Sequence, residues 1–126
     1  MPRILVLDDE KLIRWSLKQI LSQEGYEIDI AATTEEALKL SHSKSYGLIF
    51  ADLEICGDQA TAFYGKLLSG QEKAKIIVLT ALAKDQAEQT LAGFKTFLIL
   101  EKPFISENIK AVAQKALSSA REDKNP

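Results

Sequence analysis

Three acidic residues, a hydroxyl and an amine stand at the ends of separate apolar runs in this chain. Asp8 and Asp9 follow Ile4-Leu5-Val6-Leu7, and Asp52 follows Leu48-Ile49-Phe50-Ala51. Thr80 follows Ile76-Ile77-Val78-Leu79, and Lys102 follows Phe97-Leu98-Ile99-Leu100 with Glu101 between. If these runs are parallel strands of one sheet, their ends share one edge and the polar groups meet there. Carboxylates at close range repel one another unless a cation offsets them. Hard oxygen donors without imidazole or thiolate select Mg²⁺ or Mn²⁺ over zinc. Asp9 and Asp52 can coordinate such an ion directly, and Asp8 directly or through water. The backbone carbonyl of Glu54 can add another oxygen, with the Glu54 side chain then pointing toward solvent.

Asp52 is placed to do more than bind. A carboxylate can attack phosphorus to form an acyl phosphate. Lys102 offers a cationic contact on another side of the phosphoryl group, Thr80 donates a hydroxyl, and the small Ala81 leaves room for an in-line approach. Positioning and charge neutralisation of this kind are what phosphoryl transfer requires. Pro103 either ends the last strand or, through a cis Lys102–Pro103 bond, turns the lysine back over the pocket. Taken singly, each acid is commonly a solvated turn former and the lysine a surface residue. The joint arrangement is what points to chemistry.

Positioning these groups needs a particular set of elements. Apolar runs of about five residues alternate with stretches of helical period. Strands are expected at 3–7, 26–30, 47–51, 75–79 and 96–100. Helices are expected at 11–24, from a Thr33 cap to 43, at 59–69, at 84–92, and from a Ser106 cap to about 120. Leu12, Trp15, Leu17, Ile20 and Leu21 mark the first helix, with Trp15 near the rim or against the core, and Gly25 stands as its C-cap. Tyr26, Ile28 and Ile30 alternate with Glu27 and Asp29, which predicts an edge strand with one wetter face. Thr33 and Glu36 form a capping box. Ile109, Val112, Ala113, Ala116 and Leu117 form the buried stripe of the last helix. Five strands and five helices predict an α/β three-layer sandwich, flavodoxin-like, with parallel sheet order 2-1-3-4-5. That order is selected by the carboxylates, because it sets the first and third strands side by side.

A chain of 126 residues has room for one domain. Residues 1–120 read as that domain, and the charged 121–126 as a tail or the start of a linker to an output domain. Sixteen basic against eighteen acidic residues give a formal charge of −2, which does not suggest a nucleic-acid surface. There is no zinc-finger spacing and no glycine-rich phosphate loop. Cys56 is the only cysteine, so no intrachain disulfide can form. With no signal peptide apparent and no apolar stretch near the roughly 20 residues of a membrane span, a cytoplasmic location without membrane contact is expected. His42, the only histidine, reads as a surface residue, so a phosphohistidine carrier is a poor reading.

Asp8-Asp9-Glu10, Asp52, Thr80-Ala81 and Lys102-Pro103-Phe104 together carry a resemblance. Over about 3–119 the sequence resembles the receiver (phosphoacceptor) domain of two-component response regulators. The resemblance implies a signalling switch in a phosphorelay. Asp52 would be phosphorylated from a partner histidine kinase or phosphotransfer protein, with Mg²⁺, and would lose the phosphoryl group by slow self-catalysed hydrolysis. It also implies that the fourth helix, fifth strand and fifth helix form the dimer or partner surface. The stretch Asp8-Asp9-Glu10-Lys11 through Ile13-Arg14-Trp15-Ser16-Leu17 is especially similar to regulators of the NtrC-like group, which control transcription through an ATPase and a DNA-binding domain downstream.

The chain departs from the family pattern in two places. Ile55, Cys56 and Ala60 stand where the family usually has Met, Pro and Gly, with Gly57 just beyond the proline place. The usual aromatic switch three residues before the lysine is Ile99, with Phe97 two residues earlier on the same strand face and Gly93 earlier than the usual spacing. An aliphatic residue would then fill the space vacated as Thr80 moves. Two other functions remain open: a phosphatase with an aspartyl nucleophile, for which Glu54 has the spacing of the second acid, and an interaction domain indifferent to phosphorylation.

Overall fold

The computed structural model describes residues 2–55, 60–69, 71, 73–91, 96 and 98–122. Strands β1 (Arg3–Leu7), β2 (Glu27–Ala31), β3 (Leu48–Asp52), β4 (Lys75–Thr80) and β5 (Leu98–Glu101) alternate with helices α1 (Lys11–Gln23), α2 (Thr34–Ser43), α3 (Ala60–Leu68), α4 (Lys84–Thr90) and α5 (Ser106–Glu122). All strand pairs are parallel and the sheet order is β2-β1-β3-β4-β5, a flavodoxin-like (βα)5 sandwich. β3 is buried along its whole length because it is central and covered on both faces.

Two apolar layers hold the helices on the sheet. Ile4, Val6, Phe50, Ile77 and Leu79 face α1 and α5. Leu5, Leu7, Ile49, Ala51 and Val78 face α2, α3 and α4. The alternation along each strand follows from the two-residue period of the pleat. In α1 the buried stripe is Ile13, Leu17, Ile20 and Leu21, so Leu12 and Trp15 are left outside, 70% and 59% exposed. The first-helix pattern thus divides: Trp15 lies about half a turn from the mean direction of the stripe at 3.6 residues per turn. Among the described residues, no helix is long and apolar enough to cross a membrane.

Helix ends follow local sequence closely. Gly25 takes φ 91° after α1, where Tyr26 N–H donates to Leu21 O and Gly25 N–H to Ser22 O, a Schellman closure that favours glycine. Thr33 Oγ1 accepts from Glu36 N–H at 3.1 Å. Glu36 Oε1 returns to the Ala32 N–H at 3.0 Å, one residue before the cap rather than at it. Ser106 is the first helical residue of α5 rather than its cap, since the Ile105 carbonyl already accepts from the N–H groups of Asn108 and Ile109. The helix continues to Glu122, into the stretch read as tail.

Edge strand β2 does not present a clean wet face. Ile30 is exposed and Asp29 is mostly covered, because Asp29 Oδ2 collects the Tyr46 hydroxyl at 2.8 Å, Arg3 at 3.2 Å and Lys44 at 3.4 Å. Burial disfavours its charge, but the Tyr46 hydrogen bond, the Lys44 charge and the Arg3 hydrogen bond outweigh it and hold the carboxyl below its ordinary value. The same burial and carboxylate push the Tyr46 hydroxyl up. Asp29→Asn is therefore expected to destabilise the domain by about 1–2 kcal/mol at pH 7. A depressed carboxyl stabilises above its unfolded value and loses that contribution as pH falls through its folded value. Urea midpoints of the two proteins should converge as pH falls below the ordinary carboxyl value of 3.8.

Candidate functional site

The carboxyl ends of β1, β3, β4 and β5 bring four of the expected residues to one rim. Asp8, Asp52 and Thr80 are all buried there. Asp52 and Thr80 are the last residues of β3 and β4, one beyond the expected strand ends, in register with Leu79 and Glu101. Backbone pairing is indifferent to side-chain polarity, so the ladder runs on past the last apolar residue.

Asp8 is fixed from several directions. Its N–H donates to Ala31 O at 3.2 Å, its Oδ1 accepts from Glu10 N–H at 2.9 Å, and Arg14 donates to its carbonyl at 2.9 Å. Asp52 Oδ1 accepts from Glu54 N–H at 3.1 Å. Lys102 N–H donates to Thr80 O at 2.7 Å, which ties the lysine to the end of β4. The Lys102–Pro103 bond is cis. Lys102 Nζ lies 2.9 Å from Asp8 Oδ2, 3.3 Å from Glu10 Oε1 and 3.6 Å from Asp52 Oδ2. Burial works against the ammonium charge, but the close Asp8 carboxylate and the charge of Asp52 hold Lys102 above its ordinary value.

One carboxylate oxygen each from Asp8, Asp9 and Glu10 falls within 4.8 Å of the others. Asp8 Oδ2 is buried and accepts no hydrogen bond of sound geometry, leaving the lysine charge as its compensation. A buried anionic oxygen in that condition is unfavourable by itself, and a hard divalent cation would relieve it. The donor set fits such an ion. Glu10 is a contributor that the sequence reading named only in its motif. The available signal was three acids in succession on leaving a strand.

Glu54 departs most from expectation. Its side chain does not point away but returns to the rim. Oε1 accepts from Thr80 Oγ1 at 2.6 Å and from Ala81 N–H at 2.9 Å. The loop after β3 turns tightly enough, with Glu54 N–H on Asp52, to aim the side chain back across the end of β4. Burial pushes the Asp52 carboxyl up, a side-chain hydrogen bond with Glu54 and the charge of Asp8 add to this, and Lys102 only partly opposes, so it stands at about 7. Burial also opposes ionisation of Glu54, but hydrogen bonds from Asp52, Thr80 and Ala81 N–H prevail and hold it down to about 2.

The other expected residues divide. Ala81 is exposed at the rim. Ile99 is partly buried and packs against the apolar layer that includes Ala87 and Leu91. Ala60 is the first residue of α3. Phe97, Cys56, Gly57 and Gly93 lie outside the described residues, as do 123–126. His42 is exposed. Leu12, Trp15 and Ile105, three of the four large exposed apolar side chains among the described residues, line one groove of about 520 Å³ with Pro103 and Phe104.

Comparison with known proteins agrees with this geometry. The family model described as the response regulator receiver domain matches residues 4–114. The transcriptional regulatory protein PmrA of Pectobacterium parmentieri is 30% identical over 111 residues, 86% of this chain and 49% of PmrA. The chain spans about half the length of the curated relatives it matches. The CheY-like receiver domain protein of Methanospirillum hungatei JF-1 superposes with a TM-score of 0.88 at 26% identity, covering 98% of both chains. The response regulator TrrA of Thermotoga maritima, in complex with Mg²⁺–BeF, gives a TM-score of 0.77 at 38% identity, covering 93% of this chain and 100% of TrrA. The chain belongs to the response regulator receiver domain family.

Proposed function

We propose that this domain is a switch that takes a phosphoryl group onto Asp52 from a phosphohistidine of a histidine kinase or phosphotransfer protein. The observation that carries the reading is the single ammonium of Lys102 lying within 3.6 Å of carboxylate oxygens from two strand ends, with the buried Thr80 at the end of a third strand that pairs with β3. An Asp52 oxygen forms a bond to phosphorus as the P–N bond breaks and the electron pair leaves with the imidazole. Lys102 offsets charge on the phosphoryl oxygens, while Thr80 and the Ala81 N–H donate to one of them. Asp8, Asp9, Asp52 and the Glu54 carbonyl, with Glu10 nearby, would hold Mg²⁺ (or Mn²⁺), which when bound neutralises acid and phosphoryl oxygens together. Slow hydrolysis of the acyl phosphate resets the switch.

A phosphoryl group adds about −1.5 to −2 charge at neutral pH. Lys102 is tied to Thr80 through its backbone, and the neighbouring Glu101 accepts the Lys84 N–H at 3.1 Å, at the start of α4, which has no side-chain cap of its own. Displacement at the rim therefore reaches α4 through β5. The α4–β5–α5 face is the proposed homodimer or partner surface, with Ile99 as the aliphatic residue that refills the space near Thr80. The 1–120 segment is the proposed receiver unit. Control of transcription through a further domain, of the kind PmrA represents or of the NtrC-like kind, is the proposed output.

The phosphatase alternative needs Glu54 to give a proton to a leaving group. The hydrogen bonds that keep Glu54 ionised work against that role. Acetyl phosphate with Mg²⁺ tests the main reading: acid-stable, hydroxylamine-labile label on the wild type and none on Asp52→Asn. Continuous phosphate release would point to the phosphatase instead, and no label on either to an interaction domain. The groove of Leu12, Trp15 and Ile105 borders the segments that carry Glu10 and Lys102, which supports the donor protein as its proposed occupant. Trp15→Ala is expected to slow transfer from the cognate phosphodonor protein about tenfold, on the order of a lost interface anchor. Labelling by acetyl phosphate should be unchanged.

A further inference from the structure

The carboxylate of Glu54 stands on the two donors that a phosphoryl oxygen needs. Glu54 Oε1 accepts the Thr80 hydroxyl at 2.6 Å and the Ala81 N–H at 2.9 Å. Each donor has a single hydrogen. The Thr80 oxygen is also engaged from the other side, accepting from Leu82 N–H at 3.0 Å, which fixes the direction of its proton. Neither group can serve a phosphoryl oxygen while it serves Glu54. The position is not accidental to a loose surface chain, because the Glu54 backbone is itself held to Asp52 Oδ1 at 3.1 Å.

Resting on the reading of Asp52 as acceptor, we propose that Glu54 is an internal competitor: its carboxylate occupies the phosphoryl-oxygen site of the unmodified domain and must leave before a phosphoryl group on Asp52 can engage Thr80 and Ala81. The exchange replaces one anion by another on the same two donors. Glu54 can leave without disturbing the core, since the residue is exposed and the carboxylate hydrates once it swings out. The fraction of molecules with Glu54 withdrawn then scales the apparent affinity for any phosphoryl group or analogue. The effect belongs to this chain because the acid two residues past Asp52 is long enough to reach across to β4; an alanine there cannot reach, and a neutral amide binds the same donors more weakly.

Beryllofluoride, which attaches to a carboxylate as a phosphoryl analogue, is the probe. It is titrated at saturating Mg²⁺, set by a separate Mg²⁺ titration of each protein. Wild type, Glu54→Ala, Glu54→Gln and Asp52→Asn are compared through the Ala81 and Leu82 amide resonances. Two results are expected. In the free protein the Ala81 amide shifts on Glu54→Ala, as it loses its carboxylate acceptor. The apparent affinity for beryllofluoride rises about tenfold in Glu54→Ala, with a smaller rise in Glu54→Gln. Equal or weaker affinity in Glu54→Ala, or an unmoved Ala81 amide, overturns the competitor. Asp52→Asn separates this from the reading beneath it: undiminished binding there removes Asp52 as acceptor, whereas lost binding with no Glu54 effect removes the competitor alone.

Discussion

Asp52→Asn is expected to abolish phosphoryl incorporation and, in metal-free buffer at pH 8, to raise the stability of the domain by about 1–3 kcal/mol. The two effects have one origin. Asp52 is a buried carboxylate near Asp8 and Glu54, and its folded value of about 7 lies well above the ordinary 3.8. A carboxyl raised in this way contributes stability in its neutral form. That contribution is complete below the unfolded value and is lost as pH rises through about 7. Asparagine keeps the shape, keeps an acceptor for the Glu54 N–H and never ionises. The advantage of Asp52→Asn in urea should therefore be absent near pH 4, grow from pH 4 to 7 and level off above. Saturating Mg²⁺ should erase most of it, because the cation favours the ionised wild type. A variant less stable than wild type at pH 8 without metal would show that the acids do not repel one another as the geometry requires.

Lys102→Ala carries the second large effect, with the opposite sign. Lys102 Nζ is the cation shared by Asp8, Glu10 and Asp52, and its side chain is 13% exposed against 0% for Asp8. Removing one partner of a buried ion pair leaves a charge without compensation and costs about 3–5 kcal/mol. Here some relief is available, since Asp52 can take up a proton, so a loss of about 3 kcal/mol at pH 8 without metal is expected. Mg²⁺ can replace part of the missing charge. The midpoint of Lys102→Ala should thus rise more on adding Mg²⁺ than that of wild type. Stability unchanged by the substitution would mean that the lysine is a surface group passing near the acids. Phosphorylation by acetyl phosphate should fall steeply even at saturating Mg²⁺, because the cation does not replace the lysine's contact to the phosphoryl group.

The acid and base pattern of the rim was visible in the linear chain because each strand ends at its apolar run or one residue beyond it. Leu7 precedes Asp8, Ala51 precedes Asp52 and Leu79 precedes Thr80, so strand parity and short crossovers were enough to bring the groups to one edge. The caps at Thr33 and Gly25 were equally local, since each depends on groups within five residues. Boundaries were less legible. β3, β4 and β5 each extend by one residue into polar sequence because neighbouring strands continue the ladder. The first helix was harder again: Leu12 and Trp15 share a rough helical spacing with the core residues, and only packing against β1, β2 and α5 shows which angular sector is covered.

Position along the chain thus determined the elements, the kinds of group at the rim and the chemistry open to them, because those follow from hydrophobic period, turn chemistry and handedness, while the strand order was selected by the need for the carboxylates to converge. Tertiary structure alone decided where long polar side chains end. Glu54 has several rotatable bonds, and nothing in its sequence neighbourhood distinguishes water from the Thr80 hydroxyl as its partner. The choice depends on donors that arrive from β4, twenty-six residues away, and on how closely the sheet sets them beside Asp52. Asp29 shows the same dependence: its pattern reads as solvent-facing, and the Tyr46 hydroxyl that covers it comes from the connection between α2 and β3.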